Sequence, residues 1–544
     1  VLFLLPASVQ LGRSVPGSPW AGTYDHQWLF WWVGRSLDPL CSAAGARGFS
    51  LREVLHTDHL LFPQGYEIFD TFHNVLNEIV TAPLHLLFPV PIVYVFTLLG
   101  SLALAGWFCF LLARRLTGDP WASAVAGVFY MLNPLIFSLI HNGESEMLTH
   151  WLLPLLGLCL YGTSALAQGV GTGLVLCALA VGSWYYCVAG LVFTVLFFLV
   201  KLIRRERLVR PAILSLGIFL LFAVPFALFT SSHMHEPRLF ESDMPSLEHF
   251  FYPQSATRAA YERPGEENFA QLYYLGWVVV VCAILGFAKQ RDRLFWILVL
   301  VVALVLSLGK ELRIGQRPVM IGGRAIVLPM GMLYKVVPYL TGIHKPYRLS
   351  ILASLSLAVC AASFLRGRRR LALVAGAAHV AEFCFIGLRP LSLPLPVSDM
   401  RIPPVYSHIR ETEGQFAIVE YPFLRDTPVV GRYLYYQTWH EKPLVGPPAE
   451  IFPPERDEAT AALIRVVFAA LNRNDREALI NLKVRFVVFH RDMLDPRALG
   501  PVPVRQADSY LSTPREAEQI YGLLDARAVE KYGDPRTITV FRLY

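Results

Sequence analysis

An α-helical polytopic membrane protein with a C-terminal α/β domain is the fold class this sequence predicts, and three observations predict it. Of 544 residues, 54% are hydrophobic and only 16% are charged, with a mean hydropathy of +0.45, too apolar for a soluble enzyme of this length. Runs long enough to cross a bilayer recur up to Pro390. Beyond it the composition becomes mixed, with short β-rich runs and a helical one.

The opening VLFLLPASVQLG is too short to span and reads as the outer end of a truncated first helix, with a signal-peptide remnant as the alternative. A first external loop follows over 13–90. Crossing runs are expected at 91–113, 121–139, 149–167, 171–184, 186–203, 211–231, 268–288, 294–309, 346–365 and 371–388, about 11 transmembrane helices with the truncated one. GSWYY reads as a tight outer turn inside 171–203, one long tilted helix being the rival. NVLNEIVTAPLHLLF and VLPMGMLYKVVPYL could enter the membrane, but crossing there would invert every later loop. Both are expected as outer-leaflet or re-entrant helices, which need a protein-lined cavity at membrane depth.

Orientation follows from Lys and Arg, which are retained on the cytoplasmic side. Arg114 and Arg115, KLIRRERLVR, KQRDR and RGRRR fall on one face if the runs alternate, and these four loops hold 14 basic residues against Asp119, Glu206 and Asp292. Nucleic-acid binding is the other reading of such runs, but between spans they read as topology. The first loop, HNGESEMLTH, the loops 232–267 and 310–345, and everything after residue 389 then lie outside.

The division is therefore 1–389, a transmembrane domain, and 390–544, an extracytoplasmic soluble domain joined by the proline-rich RPLSLPLPVSDMRIPP. In the second, FAIVEYP, RFVVFHR and TITVFRLY read as strands and ERDEATAALIRVVFAALNRND as a helix. The aromatics of YLYYQTWHEKPLVG suit glycans or, more simply, sheet packing. Of eight cysteines only Cys41 lies outside the apolar segments, so no disulfide framework forms, and no P-loop, dinucleotide fingerprint or GxSxG elbow occurs.

The external polar set is Asp25, His26, Asp58, His59, Asp70, His73, Glu78, His141, Glu144, Glu146 and His150, with His344, Lys345 and Arg348 just before a helix. Asp25 stands before HQWLFWWVG, where it suits a helix N-cap as well as a base. Glu144 and Glu146 suit a solvated acidic turn or, with Asp25, the ligand set of a hard divalent cation such as Mg²⁺ or Mn²⁺. His26, His59 and His73 suit proton transfer, metal binding or plain hydrogen-bonded structure. His379 and Glu382, one turn apart inside the last helix, suit a mutual hydrogen bond or a cavity wall touching substrate. Trp28, Trp31 and Trp32 read as interfacial anchors before sugar-stacking platforms.

A carboxylate in a long first external loop, the acidic GESE loop after the third crossing, basic inner loops and an external α/β domain together resemble the GT-C superfamily of membrane glycosyltransferases. HKPYRLSILASLSLA and PPVYSHIRETEGQFAIVEYPF with RFVVFHR are similar to YfhO-like bacterial membrane proteins and relatives labelled 6-pyruvoyl-tetrahydropterin synthase-related, a label that implies no pterin chemistry here. One departure is that Asp25 is followed by His26 where many GT-C enzymes have a second acidic residue.

The resemblance implies an integral protein of the bacterial inner membrane that moves a sugar, with inversion, from a polyprenyl-phosphate donor to an extracytoplasmic glycan, lipid or protein acceptor. Such transfer needs a carboxylate to take the acceptor's proton, for which Asp25 is expected. It also needs positive charge at the departing phosphate, for which Lys345 and Arg348 are expected, Arg pairing two oxygens at once. Further contacts to substrate are expected from His26, Asp58, His59, His379 and Glu382. The alternatives are a transporter or flippase for a lipid-linked substrate and a non-catalytic cell-envelope assembly protein; neither reading involves nucleic acid.

Overall fold

The computed structural model describes residues 10–19, 21–37, 56–68, 74–206, 209–231, 245–253, 270–337, 340, 342–391, 393–422, 428–446, 458–473, 475–494 and 514–544. Asp70 and His73, Cys41, and residues 1–9 of the expected truncated helix fall outside them. Among the described residues, seven helices are long and apolar enough to cross a membrane, and three shorter apolar ones accompany them. The architecture is thus a polytopic helical bundle with a C-terminal α/β domain.

Local sequence explains where these helices start and stop. Val90–Thr117 ends at Gly118, whose φ of 73° is the left-handed C-cap that glycine adopts without a Cβ penalty. Asp119 then caps the next helix, accepting from the amides of Trp121 and Ala122 with Pro120 in the first turn. The run expected over 121–139 is broken into Pro120–Met131 and Pro134–His141, because Pro134 cannot supply an amide and Asn133 caps the second piece through Leu135 N at 2.9 Å. The stretch 171–203 is two helices, Ala165–Gly182 and Trp184–Ile203, parted by extended Ser183, so the expected aromatics begin the second helix instead of forming the turn. NVLNEIVTAPLHLLF forms Leu76–Thr81 and a 3-10 stretch Ala82–Leu86, and 327–340 contributes the short helix Pro329–Val336.

Two sets of loops collect separately. Asp119 Oδ2 accepts from Gly367 N at 2.7 Å, while Asp292 receives Tyr161 OH at 3.1 Å, Lys201 Nζ at 3.6 Å and Arg204. These contacts join the loops rich in Lys and Arg. Asn142 bonds Ala270 in both directions at 2.8 Å and Glu144 meets Lys345, joining the other set. Alternate loops therefore meet as the charge parity requires.

Glycines allow the closest helix approaches. A Cβ on Gly286 would stand 1.9 Å from the Cys360 carbonyl, so Trp277–Phe287 lies directly on Ser350–Leu365. Gly286→Ala is expected to destabilise the protein by about 1–3 kcal/mol through overpacking, seen as a lowered unfolding midpoint in detergent, whereas Gly217→Ala, with open space around it inside Val209–Ser231, should keep the midpoint or raise it slightly through helix propensity.

The C-terminal sheet runs in the order Glu530–Gly533, Ile538–Arg542, Val484–His490, Ala417–Tyr421, with the last pair parallel and the others antiparallel. All three expected strands are present. The stretch YLYYQTWH is helical, in Pro428–His440, where tertiary packing overrides the β preference of its aromatics. That helix lies against Thr23–Leu37, whose Tyr24 and Phe30 enter the membrane-bundle core while Trp28, Leu29, Trp32 and Val33 enter the core of the soluble domain. Trp28 Nε1 donates to Gln437 Oε1 at 2.7 Å and stacks on Trp32 at 5.7 Å. These two tryptophans are a domain seam, not the interfacial anchors expected. Strand Ser14–Pro16 pairs antiparallel with Val397–Asp399 beside it.

Candidate functional site

The loop after Pro134–His141 is pressed onto the start of Thr23–Leu37. Gly143, at φ 72°, approaches so closely that a Cβ would sit 2.5 Å from Thr23 N. This brings the acidic loop against the first-loop helix and, through Glu144, against the segment before Ser350–Leu365. The buried Glu144 carboxylate is paired with Arg348 and with Lys345 Nζ at 3.3 Å. Tyr185 OH accepts from Lys345 N at 3.2 Å and lies 3.4 Å from His344 Nδ1, and its ring faces the Arg348 guanidinium at 4.9 Å. Burial alone would raise the Glu144 carboxyl, but Arg348 and Lys345 outweigh it and hold it below its ordinary range. Burial, then the two neighbouring cations, push His344 down to about 3.

A second chain of polar groups runs beside the first. Glu146 Oε2 is 3.0 Å from His26 Nε2, His26 Nδ1 is 3.0 Å from Ser145 Oγ, and Ser145 Oγ is 3.4 Å from Glu78 Oε1. Asn77 Nδ2 donates to Ser145 O at 2.7 Å and holds this turn in place. Burial raises Glu146 above its ordinary range, with His26 opposing. Glu78, fully buried, is pushed up from 4.5 to about 8. A carboxyl that binds its proton more tightly folded than unfolded lowers stability as pH rises between those two values. The Glu78 contribution to stability is therefore expected to fall from about pH 5 to pH 8, against the opposite contribution of the buried histidines below about pH 6.5, and Glu78→Gln should remove it, as read from the difference between wild-type and variant unfolding midpoints across the range.

Of the residues expected at a site, Glu144, Glu146, His26, Lys345 and Arg348 are brought together. Asp25 lies next to His26 in the first turn of Thr23–Leu37, inside the helix and not at its N-cap. It is buried against Gly431, on which a Cβ would meet Asp25 Oδ1 at 2.4 Å. Among the described residues no three His, Cys, Asp or Glu side chains group as metal ligands; Glu144 and Glu146 are engaged by separate cationic and imidazole partners, so the expected set Asp25, Glu144 and Glu146 is not gathered. Asp58 lies apart from the cluster, 3.2 Å from His56 Nε2. His59 packs against Trp31 and Trp32 at the domain seam, where burial, then Arg35, lowers it to about 4.

His379 and Glu382 do not bond each other as expected; each serves a helix break. His379 Nε2 is 3.2 Å from the Leu132 carbonyl, at the break before Pro134. Glu382 accepts from Trp277 N, at 2.6 Å, Val278 N, at 3.0 Å, and Tyr274 OH, and so satisfies the start of Trp277–Phe287 just after Gly276. The sequence reading leaves Glu78 among the external polar residues without a role and does not single out Asn77, Ser145 or Tyr185. The signal was present in NVLNEIV, where two adjacent polar residues interrupt an apolar run without a turn residue.

The chemistry available is that of an anion site. Two cations converge on one carboxylate oxygen, while Glu144 Oε2 and Arg348 Nε, both buried, have no hydrogen-bond partner among the described residues. A phosphate arriving here would find a buried guanidinium and a partly buried ammonium, where each contact is stronger than in water.

Residues 22–328 match the family described as Domain of unknown function (DUF6311). No curated protein matches the sequence. Among solved structures, the chain is similar to arabinofuranosyltransferase AftD from Mycobacteria at 16% identity and a TM-score of 0.57, over 99% of this chain and 41% of that one. Oligosaccharyltransferase AglB from Archaeoglobus fulgidus, in complex with an inhibitory peptide and a dolichol-phosphate, aligns at 9% identity and a TM-score of 0.42, over 97% and 70% of the two chains. ArnT from Cupriavidus metallidurans, bound to undecaprenyl phosphate, aligns at 12% identity and a TM-score of 0.40, over 100% and 97%. The likeness is one of fold, and the fold is GT-C-like; the chain spans about two fifths of AftD.

Proposed function

This chain belongs to the DUF6311 family, and from its fold and its buried ion cluster we propose that it is a membrane glycosyltransferase that takes a sugar from a polyprenyl-phosphate donor. The observation that carries this reading is the convergence of Arg348 and Lys345 on Glu144 at the end of the bundle where the first loop and the acidic loop meet. Arg348 and Lys345 hold the departing phosphate, exchanging part of their contact with Glu144 for the lipid phosphate. Asp25 takes the proton of the acceptor hydroxyl as the new glycosidic bond forms and the bond to phosphate breaks, which inverts the anomeric centre. His26, held between Glu146 and Ser145, orients the start of the helix that carries Asp25. No step is assigned to Mg²⁺ or Mn²⁺, and His379 and Glu382 act by bracing helix breaks. In this reading the site faces outward from a bacterial inner membrane, with the C-terminal domain on the same side, beside the acceptor, and the nearer kinship is to YfhO-like proteins.

The contact of Asp25 with Gly431 favours a second reading, an envelope assembly protein whose former base is sealed by its soluble domain. The test is to reconstitute the protein in liposomes with a radiolabelled polyprenyl-phosphate sugar. Release of free polyprenyl phosphate in the presence of an acceptor extract supports transfer; intact donor moved to the opposite leaflet supports a flippase; neither supports assembly.

A further inference from the structure

The outer element between Arg293–Ser307 and Pro346–Leu349 exposes apolar residues in a place that water does not favour. Arg293–Ser307 has 15 residues, which at about 1.5 Å each rise roughly 22 Å, against a hydrocarbon core of about 30 Å. A span this short ends within the hydrocarbon, short of the head-group layer, unless tilt, local thinning or the chain after it completes the passage. That chain forms two small hairpins, Arg313–Ile314 with Arg317–Pro318 and Met320–Ile321 with Arg324–Ala325, and then Pro329–Val336.

The element is fastened at its root and bare at its tip. Leu328 N donates to Lys310 O at 3.0 Å, and a Cβ on Gly331 would stand 2.5 Å from that oxygen, so the short helix sits on the end of the span. Gly315 N and Gln316 N donate to Glu248 Oε1 and Ser246 Oγ, both at 2.8 Å, fixing the first hairpin. The second hairpin turns at Gly322 and Gly323, with open space around both. Met320 is 56% exposed, Ile321 69%, Met332 61% and Val336 77%. Arg317, Arg324 and Lys335 are exposed among them. Over 310–337 the bases Lys310, Arg313, Arg317, Arg324 and Lys335 face one acid, Glu311, a net charge of +4 (five minus one) on a side where the positive-inside tendency disfavours it. Apolar side chains interleaved with Arg and Lys, continuous with a membrane-spanning surface, match a phospholipid head-group layer in both polarity and charge.

We propose that residues 311–337 form an interfacial platform: the hairpin Met320–Ala325 and the outer face of Pro329–Val336 lie in the phospholipid leaflet, with Arg317, Arg324 and Lys335 against lipid phosphates. The hairpin backbone is paired where it enters, and head-group water satisfies its tip. The platform stands a few residues before Lys345, so it sets the level at which a lipid-borne phosphate meets that cation. The proposal needs Arg293–Ser307 to cross the membrane and does not depend on sugar transfer.

An environment-sensitive fluorescent amino acid placed at 320, 333 or 530 of the full chain in nanodiscs containing anionic phospholipid tests it. Positions 320 and 333 are expected to be quenched by a lipid-borne quencher and to be several-fold less sensitive to aqueous iodide than position 530, in exposed strand Glu530–Gly533. Arg317→Glu with Arg324→Glu should weaken lipid quenching at 320 while leaving 530 unchanged. Iodide quenching at 320 and 333 equal to that at 530 would overturn the proposal, whatever the protein's transfer activity, and so would protection at 333 alone, because the hairpin would then stand in water.

Discussion

Replacing Arg348 with methionine is expected to lower stability by up to about 3–5 kcal/mol, the cost of leaving a buried carboxylate without its partner, reduced by the contact that Lys345 keeps with Glu144. The residue is 3% exposed and its charge faces Glu144 from the first turn of the segment leading into Ser350–Leu365. Adding Glu144→Gln to Arg348→Met should recover part of the lost stability, because the buried carboxylate is then neutral and the cation left without it, Lys345, is the more exposed of the two. It should not recover transfer, since the cation for the phosphate is still missing. Unfolding midpoints and donor turnover for the two single variants and the double separate these effects, and a double variant with wild-type turnover would remove Arg348 from the phosphate site. Lys345→Met should cost less in stability, its contact with Glu144 being 3.3 Å and more exposed than that of Arg348.

Asp25→Asn is expected to reduce transfer by about 10² to 10⁴-fold, the range that general-base catalysis contributes, while the protein still folds and inserts. The near-isosteric amide keeps the packing against Gly431 and removes the proton acceptor. Unchanged turnover in this variant would assign the proton to another group. Loss of folding without loss of specific activity would make Asp25 a residue of the domain seam and favour the assembly reading.

Much of the fold was legible because bilayer thickness fixes the length of an apolar run and Lys/Arg bias fixes which loops share a side. The three C-terminal strands were legible for a similar reason: their β-branched and aromatic runs are bounded by polar turns. The helix Pro428–His440 was not, because its tyrosines follow no period that favours helix over strand and packing against Thr23–Leu37 and the soluble-domain core decides. At the site, Glu144 with Lys345 and Arg348 could be expected from opposite charges on loops of one side. The His26–Ser145–Glu78 chain could not, since Glu78 and Ser145 are separated by two crossings and meet only through helix packing. Likewise His379 and Glu382 look like a pair along one helix, but the backbone groups freed by Pro134 and by the start at Trp277 attract them more strongly than they attract each other.

The central claim is that the acidic loop and the segment before Ser350–Leu365 together take the phosphate of a polyprenyl lipid. A photoreactive polyprenyl phosphate, cross-linked to the full-length protein in nanodiscs and mapped by mass spectrometry, tests it most directly. The account predicts adducts on peptides holding 142–150 and 342–350, suppressed by excess unlabelled polyprenyl phosphate and much reduced in Arg348→Met with Glu144→Gln. Adducts confined to the apolar cleft around Leu199, Leu202 and Ile213, or adducts that excess lipid phosphate does not suppress, would contradict it.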